Sequence, residues 1–107
     1  METIIPSEVE DDLLRIEFVD VRVFCKGKEI KLTLKEFALL TVLAKSVDRV
    51  RRRQQLLDSV WGYDHYGETR TLDVHIRRLR QKLGDCGKCI ETVVGVGYRF
   101  SGCSKQK

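Results

Sequence analysis

The segment from Thr69 to Gly84, TRTLDVHIRRLRQKLG, constrains the chain more than any other. Leu72, Ile76, Leu79 and Leu83 follow one another at steps of four, three and four, the spacing of one apolar stripe on a helix. At about 100° per residue, Arg70, Val74, Arg77, Arg78 and Gln81 fall on the opposite side. Five basic residues (Arg70, Arg77, Arg78, Arg80 and Lys82) stand against a single acid, Asp73. One face of such a helix is built for burial. The other presents guanidinium groups beside small apolar side chains, a surface able to read a DNA groove.

The rest of the chain fits that reading. Its 107 residues, 42% of them hydrophobic, suit one small domain with a modest core. No apolar run approaches the ~18 residues of a membrane helix. The start, METIIPSEVEDD, has neither a basic n-region nor a long apolar stretch, so no signal peptide is expected and a cytoplasmic location is the default. The net charge of +4 hides an asymmetry: residues 1–20 carry −6 and residues 21–107 carry +10. So basic a body favours a polyanion, with nucleic acid ahead of an anionic membrane. A second basic cluster, Arg49 to Arg53, reinforces the first.

The four cysteines, Cys25, Cys86, Cys89 and Cys103, are not expected to form a disulfide framework in a cytosolic chain. Cys86-Gly-Lys-Cys89 is a CxxC, but it follows a helix and precedes a strand, whereas the redox motif sits at a strand-to-helix turn. Zinc would need two more ligands, supplied by Cys25 and Cys103 only if the fold gathered all four. His75 alone makes no metal site. No metal or other cofactor is therefore expected. Nothing resembles a carboxylate pair, a nucleophile with its base or a phosphate loop, so an enzyme is not expected either.

Residues 1–12, with the single proline and a cluster of acids, read as a linker or arm, and residues 102–107 as a loose tail. Between them, residues 13–101 form the domain. Leu14, Ile16 and Phe18 alternate with charged residues as in a strand, and Val21–Cys25, a Lys26-Gly27-Lys28 turn and Glu29–Leu32 suggest a hairpin. Thr33-Leu-Lys-Glu36 is a capping box opening a helix that buries Phe37, Leu40, Leu43 and Ala44. A short second helix with Leu56, Leu57 and Val60 in the core stops at Gly62. After the third, basic helix, Cys89–Val94 and Tyr98–Phe100 make a glycine-turned hairpin. The expected class is thus α+β: a short N-terminal antiparallel sheet, a three-helix bundle and a C-terminal β-hairpin wing, the order of a winged helix-turn-helix.

Four strings carry a resemblance: LTLKEFALL (Leu32–Leu40), QQLLDSVWG (Gln54–Gly62), RTLDVHIRRLRQKL (Arg70–Leu83) and ETVVGVGYRF (Glu91–Phe100). In this order they resemble the C-terminal DNA-binding (effector) domain of OmpR/PhoB-type response regulators, over about residues 14–101. The resemblance implies a bacterial two-component transcription regulator that binds double-stranded promoter DNA, often as a head-to-tail pair on direct repeats. It also implies a phosphorylated receiver domain, for which this chain has no room. Arg78, Val74 and Thr71 are then the base-reading residues: Arg78 suits the paired acceptors of guanine, and Val74 and the Thr71 methyl suit a thymine methyl. Arg70, His75, Arg77 and Arg80 match phosphate-contacting positions, and Trp61 and Tyr98 match backbone contacts from the loop and the wing. The helical wheel by itself does not rank Arg77 against Arg78. Tyr63, Asp64, His65 and Tyr66 match a loop that faces RNA polymerase.

Each assignment has a plainer counterpart. Trp61 can pack beneath the loop, Tyr98 can close the core, and Asp73 can orient an arginine. The chain also departs from the family pattern in three places. Val94 stands where a minor-groove arginine is usual in the wing. Arg51, Arg52 and Arg53 stand where the second helix usually begins on a Ser cap, which suggests a phosphate against that helix end. Three N-terminal strands can be placed where the family has four. The alternatives to a DNA reader are a winged-helix protein-interaction module and a small CxxC zinc or redox domain.

Overall fold

The computed structural model describes residues 8–10, 13–62 and 69–101. Four short strands come first: β1 (Glu8–Glu10), β2 (Leu14–Glu17), β3 (Arg22–Cys25) and β4 (Lys28–Ile30), paired antiparallel in sequential order. Alternation places Leu14, Ile16, Val23 and Cys25 on one buried face. The β3–β4 turn is tighter than expected. Lys26 and Gly27 are its central residues, both at positive φ (55° and 81°) as a primed hairpin turn requires, and Lys28 already belongs to β4, opposite Cys25.

The stretch read as an acidic arm supplies the fourth strand: Glu8–Glu10 pairs with Arg15–Glu17 of β2. Three acid-rich residues carry no alternation long enough to read. Their strand character comes from the β2 backbone beside them.

Three helices follow: α1 (Leu34–Ala44), α2 (Arg53–Trp61) and α3 (Thr69–Leu83). The capping box at α1 forms as expected. Thr33 Oγ1 accepts from the Glu36 N–H (3.2 Å), and Glu36 Oε1 accepts from the Thr33 N–H (2.9 Å). Leu39, Leu40, Leu43 and Ala44 fill the α1 core face, while Phe37 is only half-buried at its margin. The α3 stripe Leu72, Ile76, Leu79 and Leu83 is buried throughout, in one continuous core with Leu56 and Leu57 of α2 and Leu14 and Ile16 of β2. At 2% exposure Glu36 is a charged group in that core, and Lys82 Nζ of α3 lies 2.8 Å from it. Burial pushes the Glu36 carboxyl up, but the Lys82 ammonium and the Thr33 N–H outweigh that and hold it below its ordinary value.

Gly84, at φ 61°, ends α3 and starts a 3₁₀ helix, Gly84–Cys89. The hairpin of β6 (Ile90–Val93) and β7 (Gly97–Phe100) comes next. A strand that the sequence did not reveal, β5 (Val50–Arg52), pairs with the free side of β7, giving the order β5-β7-β6. Gly97 permits this pairing. A Cβ there would lie 2.0 Å from the carbonyl oxygen of Arg51. The cationic run before α2 is therefore first a strand and only then a helix start.

The cysteine expectation is overturned. Cys25 of β3 and Cys86 of the 3₁₀ helix form a disulfide (Cα–Cα 6.1 Å) across a sequence separation of 61 residues. Cys89 is disulfide-bonded as well, and no free thiol occurs among the described residues. Sequence spacing pointed only to the local CxxC. The fold instead brings the end of β3 against the 3₁₀ helix, where Lys26 Nζ also meets Asp85 at 2.5 Å. A cross-link closing a loop of that length stabilises a chain by about 4 kcal/mol in the chain-entropy model. Among the described residues no cluster of His, Cys, Asp and Glu is arranged to hold a metal ion. None of the helices among the described residues is long and apolar enough to cross a membrane.

Candidate nucleic-acid interface

With its leucine stripe buried, α3 turns Val74, His75, Arg77, Arg78 and Gln81 away from the core. Arg77 and Arg78 are exposed and make no hydrogen bond or ion pair among the described residues. Thr71, Val74 and His75 are half-buried, one to two turns nearer the helix start. Arg70 sits on the first turn of α3. Tyr63, Asp64, His65 and Tyr66 lie outside the described residues.

Two of the other expected cations, Arg80 and Arg53, are already engaged. Arg80 Nε and Nη2 donate to the carbonyl oxygen of Ile90 (3.1 and 2.9 Å), and Nη2 also donates to Thr92 Oγ1 (2.8 Å). Arg80 therefore fastens α3 to the first strand of the wing. Arg53, at the start of α2, forms an ion pair with Asp73 of α3 and stands 5.3 Å from the Tyr98 ring centroid. Arg80 approaches the same ring at 5.6 Å, so two guanidinium groups stand within cation–π distance of one wing tyrosine. The Tyr98 hydroxyl donates to Asp73 Oδ1 at 2.5 Å. Burial, then the Asp73 carboxylate, pushes the Tyr98 phenol above its ordinary pKa, so it stays protonated and a donor.

Tyr98 is thus a core residue, 4% exposed, whose polar end is held by Asp73. Asp73 itself has the arginine-orienting role, with Arg53 as its partner. Nothing in the sequence pairs residues 53, 73 and 98; they meet because α2, α3 and β7 converge at the base of the wing.

The other members of the Arg51–Arg53 cluster also separate. Arg51 is half-buried and donates from Nη1 to Ser46 Oγ (3.3 Å), whereas Arg52 is exposed. The missing Ser cap is partly replaced from inside the helix, where Gln55 Oε1 accepts from the backbone N–H of Arg52 at 2.9 Å. Trp61, half-buried against the core, stacks edge-on with His75 (5.0 Å) and carries Lys35 Nζ 5.5 Å from its ring centroid. The Nδ1 of His75 faces the Thr71 carbonyl oxygen at 2.8 Å, which places the proton on Nδ1 and leaves Nε2 for an outside partner. Lys35 was not anticipated, since nothing in the sequence brings α1 to the end of α2. On the wing, Arg99 pairs with Glu91 across the two strands (2.7 Å), and Val94 at the tip is 88% exposed.

Known proteins resemble this chain in sequence and in fold. Residues 27–100 match the family described as "Transcriptional regulatory protein, C terminal". The transcriptional regulatory protein VxrB of Vibrio cholerae is 48% identical over 94 residues, covering 88% of this chain and 38% of the relative. The response regulator DrrB of Thermotoga maritima, an OmpR/PhoB homologue, superposes with a TM-score of 0.82 at 34% identity, over 90% of this chain and 45% of that one. The DNA-binding domain of RstA from Klebsiella pneumoniae, solved in complex with the RstA box, gives 0.80 at 31% identity, covering 90% of this chain and 98% of that domain. The chain thus spans less than half the length of the regulators VxrB and DrrB. An arginine-faced third helix locked to a three-stranded wing, matched in sequence and shape to these proteins, places the chain in the transcriptional regulatory protein C-terminal family, the DNA-binding domain of bacterial OmpR/PhoB-type response regulators.

Proposed function

We propose that this domain binds double-stranded promoter DNA sequence-specifically, with α3 in the major groove and the β6–β7 hairpin as a wing beside it. The observation that carries this reading is the division among the cations. Arg77 and Arg78 are exposed on the outward face of α3 and have no partner among the described residues, while Arg53 and Arg80 brace the helix that presents them. A major groove about 12 Å wide admits one such helix. Arg78 pairs with a guanine edge, and Val74 and Thr71 meet thymine methyls. Arg70, Arg77, Arg52, Trp61 and His75, the last with a proton on Nε2 as well as on Nδ1, face phosphates. Arg53, Arg80 and Tyr98 act mainly by positioning the wing, and Arg51 by holding β5 to the turn after α1. With Val94 at the wing tip, base reading falls to α3.

By likeness to the family, the domain works under a phosphorylated receiver domain and binds direct repeats as a head-to-tail pair. The segment Tyr63–Tyr66 faces RNA polymerase.

A salt titration of binding to a selected duplex tests the core of this reading. With roughly six phosphate contacts, affinity falls about a thousandfold between 50 and 200 mM salt. Arg77→Ala weakens all duplexes alike and flattens the slope by about one unit. Salt-independent binding, or none to any duplex, favours a winged-helix protein-interaction module instead.

A further inference from the structure

The cysteines are the one sequence feature that DNA binding does not absorb, and the structure sets them beside a cavity. An open pocket of about 480 Å³, within the size range of small-molecule sites, is lined by Cys25, Lys26, Lys28, Lys82 and Asp85 among others. Cys25 borders it and is 7% exposed; Cys86 does not border it and is 0% exposed. Lys26 is paired with Asp85 and Lys82 with Glu36, while Lys28 has no ion pair among the described residues. Lys28 also lies directly across the β3–β4 ladder from Cys25, which puts the two side chains on the same sheet face with Cβ atoms about 5 Å apart.

We propose that this pocket is a thiol–disulfide exchange site for an anionic low-molecular-weight thiol, with Cys25 as the attacked sulfur. The incoming thiolate donates its electron pair to Cys25 Sγ. The Cys25–Cys86 bond breaks, a mixed disulfide forms on Cys25, and Cys86 leaves as a thiolate that takes a proton from solvent. A second thiolate attacks the outer sulfur of the mixed disulfide and releases the small-molecule disulfide and reduced Cys25. The small-molecule disulfide drives the reverse sequence. Lysines at the rim concentrate the anion and stabilise the thiolates in both directions. The bond being exchanged ties β3 to the segment joining α3 to the wing, so the thiol balance sets how firmly the N-terminal sheet holds the end of that helix.

The test follows the oxidised 107-residue chain treated with glutathione or with uncharged 2-mercaptoethanol at equal thiolate concentration. Adducts are trapped by alkylation and mapped by peptide mass spectrometry. The first mixed disulfide is expected on Cys25. Relative to a reference peptide disulfide, glutathione should be favoured about threefold, the effect of one unit charge at 6–7 Å in water. That preference should vanish in 1 M salt and in Lys28→Gln, an exposed substitution compatible with the fold. The Cys25 adduct should melt about 15 °C or more below the oxidised chain, as expected for loss of a long-loop cross-link in a domain of this size. A first adduct on Cys86, Cys89 or Cys103, a glutathione preference untouched by salt and by Lys28→Gln, or an unchanged melting temperature would each overturn the proposal.

Discussion

The arginines at the start of α2 and at the C-terminal end of α3 differ from those at the centre of α3 in what already holds them. Arg53 and Arg80 are bound to Asp73, Ile90 and Thr92 and stand near the Tyr98 ring; Arg77 and Arg78 have no partner among the described residues. In the sequence all four are candidate DNA contacts, three on the basic helix and one in the cluster at the start of α2. In the structure, one pair builds the base of the wing and the other pair is presented to solvent. An intramolecular partner, more than charge or position on a helical wheel, separates a scaffold arginine from a candidate DNA contact.

Truncation should break this contrast most visibly at Arg80. Arg80→Ala removes three hydrogen bonds from a charged donor and leaves the Ile90 carbonyl oxygen without them. The expected loss is about 2–3 kcal/mol, or roughly 10–20 °C in melting temperature. Arg77→Ala and Arg78→Ala should stay within about 0.5 kcal/mol of the parent by the same calorimetric measurement. Equal losses at all three positions would erase the distinction.

A smaller effect is expected at Tyr98. Tyr98→Phe keeps the ring under the two arginines but removes the bond to Asp73, whose carboxylate retains Arg53. Denaturant unfolding should report about 1 kcal/mol. The salt slope of DNA binding should be unchanged if Tyr98 positions the wing and does not itself meet a phosphate.

The smallest expected effect lies away from the interface, at Glu36. Its folded-state pKa is held below the ordinary value, so its contribution to stability is complete above the unfolded pKa of about 4.3 and is lost as pH falls through the folded value. Glu36→Gln should flatten the acid limb of the stability curve below about pH 4 while leaving DNA affinity near neutrality unaltered.

What the sequence made legible was local. The α3 stripe, the Thr33–Glu36 capping box and the glycine stop at Gly62 each rest on residues within one or two turns of one another. What it hid depends on distant backbone. Glu8–Glu10 and Val50–Arg52 are three-residue strands without readable alternation, made strands by β2 and by the space that Gly97 leaves. Cys25 and Cys86 meet across 61 residues, beyond the reach of spacing rules. At the interface, residue types identified the cationic face of α3 but not its internal allegiances. Arg80 and Arg77 differ by less than one helical turn, and only the position of β6 decides which one is engaged.

Selection of duplexes from a random pool, run in parallel with the parent chain and with Arg78→Ala, tests the central claim most directly. The parent should converge on a motif. Arg78→Ala should weaken binding to that motif by about 1–3 kcal/mol and lose preference at a single base pair while the rest of the motif persists. No convergent motif from the parent, or an identical motif and affinity from Arg78→Ala, would contradict the assignment of the exposed face of α3 as the DNA-reading surface.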